Sequence, residues 1–175
     1  MTDGPFPLLS RRRLLKLGLG AGGALAAGVG GLFALRGTAP AVEGLRVLGA
    51  HEYRTFAALA QAAFPEGVAP KTPLDLARAF DGFLADEPDW AQSETKSALL
   101  LLELGPVLFE RRLVTFSHLD PDERVAHFQR WGASDSELRR QVFVGFKKFL
   151  CLVFYDQPEV WPMFGYEGPL VREAR

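Results

Sequence analysis

A single cysteine, Cys151, stands among the 175 residues, so no internal disulfide can staple this chain. Its neighbours are apolar, which predicts a buried and inert thiol. Histidine is scarce too: His51, His118 and His127 show no H-x-x-x-H or H-E-x-x-H spacing, and a lone cysteine cannot make a C-x-x-C-H haem site. The spacing therefore predicts no metal or cofactor held by this chain alone. Charge of one sign is also lacking, with 20 basic against 21 acidic residues. Without a basic stripe to neutralise phosphates, nucleic-acid binding is excluded as an expectation. Beyond the first forty residues no segment alternates as a strand does, which predicts an all-α fold.

What the chain does have comes first at its N-terminus. Ser10-Arg11-Arg12-Arg13-Leu14-Leu15-Lys16 runs into a glycine- and alanine-rich apolar segment, Leu17 to Leu35. The pattern resembles a twin-arginine export signal, read chiefly at Ser10, Arg11, Arg12, Leu14, Leu15 and Lys16. Seven glycines dilute the leucines of residues 17–35, as fits that type. Ala39-Pro40-Ala41 offers a small-x-small cleavage pattern, whereas an apolar run close to ~20 residues would also serve as a single-span anchor. Both readings stand, and either puts the body of the protein outside the cytoplasm, with the basic residues staying inside. The resemblance implies export in the folded state by the twin-arginine translocase and a periplasmic location at the cytoplasmic membrane.

Residues 1–41 hold five basic residues (Arg11, Arg12, Arg13, Lys16, Arg36) and one acid (Asp3), leaving 15 basic and 20 acidic residues, a net charge of −5 over 42–175. That length suits one compact domain. After an extended stretch over Pro40 to Gly49, Tyr53, Phe56, Ala60, Ala63 and Phe64 recur at helical spacing, and Pro65 closes that helix. Thr72-Pro73-Leu74-Asp75 reads as a capping hydroxyl, a first-turn proline and an acidic third residue, opening a second helix. A third spans Pro88 to Leu104, and its Ala98–Leu102 portion, apolar all round, is expected to be central. Gly105-Pro106 interrupts it, leaving a short continuation to Leu113. Asp120, with Glu123 reciprocating, opens a helix ending near Trp131-Gly132, and Ser134 to Glu137 opens the last, most apolar helix, to about Tyr155. The expected fold is a small irregular bundle of about five helices.

Gly18-x-Gly20-x-x-Gly23 formally matches a dinucleotide fingerprint, but it follows three arginines where a buried strand is required, so coincidence explains it. His127 lies on a capped amphipathic helix, which predicts a solvated or core-edge side chain; catalysis by His127 with nearby carboxylates is the rival reading. The acidic pairs Asp86-Glu87 and Asp122-Glu123 sit at helix ends, where the dipole or a loop accounts for them.

The segment from Tyr155 to Pro169 packs four aromatics and a methionine between prolines and glycines. It either packs back on the bundle or faces a partner, with Tyr155, Trp161, Phe164 and Tyr166 as candidate partner-binding residues. Phe64-Pro65, the Glu123-Arg124 helix, Phe154-Tyr155-Asp156-Gln157-Pro158, Trp161 and Gly165-Tyr166-Glu167-Gly168-Pro169, behind a twin-arginine leader, resemble the gluconate 2-dehydrogenase subunit 3 family. The resemblance implies a non-catalytic small subunit that accompanies a flavoprotein large subunit of the glucose-methanol-choline oxidoreductase type. FAD would reside in that partner, a cytochrome c subunit usually takes the electrons, and the small subunit's leader would export the folded pair. A membrane-tethered interaction domain with no redox connection is the other alternative.

Overall fold

The computed structural model of the chain describes Gly31, residues 36–64 and residues 67–168. The chain divides into two units, Met1–Gly37 and Thr38–Arg175. Of the first, only Gly31, Arg36 and Gly37 are described, so the export residues Ser10, Arg11, Arg12, Leu14, Leu15 and Lys16 lie outside the described residues, as do Pro65 and Pro169.

The second unit is all-α. Its helices among the described residues are α1 (Ala50–Ala63), α2 (Pro73–Ala85), α3 (Asp89–Glu103), α4 (Gly105–Glu110), α5 (Pro121–Gly132) and α6 (Glu137–Tyr155), with short 3-10 turns at Phe116–His118 and Trp161–Phe164. The start of α2 forms as the sequence predicts: Thr72 Oγ1 accepts from Asp75 N, and the Asp75 carboxylate accepts from Thr72 N, so two orphan helix donors are satisfied at once. Gly105-Pro106 separates α3 from α4, and α6 ends at Tyr155.

Three expectations are corrected. The central element is α1, not α3: α1 packs on α2, α3, α5 and the first 3-10 turn. Its small Ala57, Ala58 and Ala60 let the neighbours close around buried Phe56 and Leu59, whereas α3 buries Leu99 and Leu102 on one face and leaves Leu100 and Leu101 half-exposed. Asp120 stands at the N-cap of α5 without a side-chain cap bond, and the Glu123 carboxylate accepts from Arg112 Nη2. Arg111, left-handed at φ 55° behind α4, redirects the chain so that Arg112 reaches Glu123. Cys151 is exposed, because it lies on the side of α6 opposite the buried stripe Phe146, Leu150 and Val153.

The core is aromatic-rich, with Phe56 stacked on Phe80 at 3.9 Å between ring centroids and Phe64 on Phe154 at 4.7 Å. Asp81, buried on α2, accepts from the backbone N–H groups of Arg46, Val47 and Leu48 at 2.7, 3.0 and 2.7 Å. Those bonds pin the extended segment before α1 onto the bundle.

Candidate functional site

Two groups of residues carry the chemistry worth weighing: the buried polar set around His127 and Glu103, and the surface formed by α6 with the C-terminal segment.

His127 is fully buried, which corrects the expectation of a solvated or core-edge position. Its Nε2 accepts from Trp131 Nε1 at 3.0 Å, and an indole nitrogen can only donate. The proton must therefore sit on Nδ1, which donates to Glu110 Oε1 at 2.8 Å. Burial pushes the imidazole pKa down from its usual value, only partly opposed by the Glu110 carboxylate, so the ring is neutral near pH 7. For Glu110, burial alone would raise the pKa, but hydrogen bonds and charge from Arg130 and His127 outweigh it and hold the carboxyl below its ordinary range. Arg130 grips that carboxylate through Nε and Nη2 at 2.9 to 3.0 Å. A carboxylate does stand beside His127, as the rival catalytic reading requires. Both imidazole nitrogens are nevertheless engaged inside the protein, and no ring nitrogen is left to meet a substrate.

Glu103 is likewise internal. Its carboxylate accepts from Thr55 Oγ1, Ser117 N and Ser117 Oγ at 3.1, 3.0 and 2.6 Å. Arg124, whose pKa is lowered by burial, donates to Gln61 Oε1 and to the carbonyls of Ser117 and Leu119. These polar groups lock the first 3-10 turn between α1 and α5. Their geometry is that of interior cross-braces, with Arg124 Nε the one buried side-chain atom of the set that has no hydrogen-bond partner among the described residues. Among the described residues no cluster of three or more His, Cys, Asp or Glu side chains is arranged to hold a metal ion.

The C-terminal segment is folded on a few buried points and otherwise exposed. Val160 and Gln157 are buried, and Gln157 Nε2 donates to the carbonyls of Val153 and Phe154 at the end of α6. Trp161, half-buried, donates from Nε1 to the Tyr155 carbonyl at 2.8 Å and meets Tyr166 edge-on at 5.4 Å. Gly168 (φ 108°) passes against the same indole, where an added Cβ would lie 3.0 Å from Cζ3. Trp161 thus organises the segment internally. Tyr155, Met163, Phe164 and Tyr166 are 50, 61, 57 and 49 % exposed. Tyr155 and Phe164 touch edge-on at 5.2 Å, which joins the segment to α6. The structure therefore brings all four sequence candidates into one neighbourhood, three outward-facing and one as their brace.

Continuing from Tyr155 along α6 is a shallow, open groove formed by that helix and its cap residue alone, with Phe143, Val144, Lys147, Lys148, Cys151, Leu152, Tyr155 and Asp156 on it. A second apolar stripe at Val144, Cys151, Leu152 and Tyr155, on the side away from the buried one, was the signal available. A helix apolar on two sides has a second surface to cover.

Compared with known proteins, the chain matches no family model, no curated protein and no solved structure.

Proposed function

We propose that this chain is a non-catalytic accessory subunit of an exported flavin-dependent dehydrogenase of the glucose-methanol-choline type. It supplies the twin-arginine signal for the folded pair and holds the flavoprotein through its C-terminal aromatic segment. The observation that carries this reading is the cluster Tyr155, Phe164 and Tyr166, large side chains about half exposed on a segment braced by Trp161. Aromatic side chains of this kind anchor interfaces because they bury much area at little entropic cost. The engagement of both nitrogens of His127 weighs against an independent enzyme built on that residue. FAD would belong to the partner, a cytochrome c subunit would take its electrons, and the complex would sit on the periplasmic side of the cytoplasmic membrane.

The test is co-expression of the tagged full chain with the flavoprotein encoded beside it. The expected result is a complex carrying flavin absorbance, with periplasmic dehydrogenase activity that disappears when this chain is deleted. A flavoprotein that reaches the periplasm equally well alone, or no flavoprotein gene beside this one, would end the proposal.

A further inference from the structure

The outer face of α6 is a surface that the domain's own packing leaves uncovered. The helix is covered by α2 and α5 on its inner side. Outward it presents Val144 (48 % exposed), Leu152 (41 % exposed) and the exposed Cys151, with Lys147 and Lys148 among them. Among the described residues neither lysine is paired with a carboxylate; Lys147 lies 5.5 Å from the centre of the Phe143 ring and Lys148 projects to solvent. In residues 42–175, where acids outnumber bases, the groove itself carries two cations, Lys147 and Lys148, against one acid, Asp156 at its C-terminal end. An apolar groove with adjacent unpaired ammonium groups is complementary to an apolar surface edged with carboxylates.

Length and continuity narrow the occupant. Phe143 to Asp156 spans fourteen residues, or about 20 Å of helix at ~1.5 Å per residue, room for about four turns of a second helix. At its C-terminal end the groove runs into the Tyr155–Phe164 contact, the edge of the proposed flavoprotein-docking surface. We infer that the groove seats an amphipathic helix of the flavoprotein partner, its apolar face on Val144, Cys151 and Leu152 and its carboxylates on Lys147 and Lys148. The identity of the partner rests on the accessory-subunit reading; the chemistry of the occupant rests on the groove itself.

The lone cysteine makes the test local, because maleimide can label this chain only at Cys151. Two synthetic 18-residue amphipathic helical peptides serve as probes, identical in their leucine face, one edged with glutamate and the other with lysine. With the full chain, the glutamate peptide is expected to slow labelling of Cys151 about tenfold and the lysine peptide to leave it unchanged. In the Lys147→Glu, Lys148→Glu variant the preference is expected to reverse. Equal protection by both peptides, or by neither, overturns the inference. So does protection that rises with the chain's own concentration, which would mean a second copy fills the groove. Protection by phosphatidylglycerol vesicles but not by peptide would assign the face to a membrane and overturn it as well. The two proposals separate in the co-expression experiment. Flavoprotein capture that is indifferent to the double lysine variant removes the groove from the interface and leaves the accessory role. The expected peptide preference without any flavoprotein capture keeps the groove's acidic-helix specificity and removes the accessory role.

Discussion

Gly105 and His127 approach so closely that a β-carbon on Gly105 would stand 2.7 Å from His127 Nε2, and also 2.7 Å from Trp131 Cζ2. The glycine that breaks α3 from α4 is thus also the floor on which the buried imidazole and indole rest. Gly105→Ala is expected to destabilise the domain by about 1–3 kcal/mol through overpacking, since neither ring is at the free end of a flexible chain. Urea unfolding with unchanged slope and a lowered midpoint would show it. A midpoint equal to the wild type would mean that the rings yield at no cost.

The same histidine sets a direction for pH dependence. Burial depresses its pKa in the folded chain below the ordinary 6.5 that the unfolded chain retains. Below about pH 6.5 the unfolded state therefore binds the extra proton first. Stability is full above that pH and falls as the pH drops toward the folded value. Protonating Nε2 would also turn it into a donor facing the Trp131 N–H. Denaturant midpoints measured from pH 7.5 to 5 should fall for the wild type and fall less steeply for His127→Gln. Equal slopes would remove His127 as the cause.

Asp81 holds three consecutive backbone N–H groups from Arg46 to Leu48. In Asp81→Asn one acceptor oxygen becomes a donor aimed at donors, and a charge-assisted set is lost. The expected cost is about 3 kcal/mol, together with release of the segment before α1. Limited proteolysis should then cut between residues 42 and 48 before the helices are attacked; wild-type resistance there would contradict it.

Phe164→Ala combined with Tyr166→Ala removes exposed rings that the bundle does not need. Their loss should leave the melting temperature within about 2 °C of wild type, as surface changes do, while capture of the flavoprotein weakens by ~2 kcal/mol or more. Trp161→Ala differs, because it removes the brace and should loosen the whole segment. A collapsed melting temperature in the double variant would show that these rings serve the domain's own core.

Export should depend on guanidinium shape and not on charge alone. Replacing Arg11, Arg12 and Arg13 by lysine keeps every charge but is expected to leave the protein in the cytoplasm. Normal periplasmic accumulation of that variant would remove the twin-arginine assignment.

Local sequence determined the helices. Thr72-Pro73-Leu74-Asp75 contains its capping box within four residues, Gly105-Pro106 stops a helix wherever it is placed, and the apolar spacing of α6 identifies its inner stripe. Such features depend on neighbours in the chain, so they are legible without a fold. Which helix lies at the centre was decided in three dimensions, because alanines in α1 admit close neighbours only once those neighbours exist. The fates of the polar residues were decided there too. Asp120 reads as a side-chain cap yet makes no cap bond, and Arg112, following the left-handed turn at Arg111, takes the Glu123 carboxylate. His127 reads as a residue of a helix edge until α4 delivers Glu110 and Gly105 to it. Cys151 reads as buried because its neighbours are apolar, yet α6 has more apolar surface than α2 and α5 can cover. Periodicity reveals that a helix has an apolar side; only packing shows which apolar side is left over, and in this chain it is the side edged by Lys147 and Lys148.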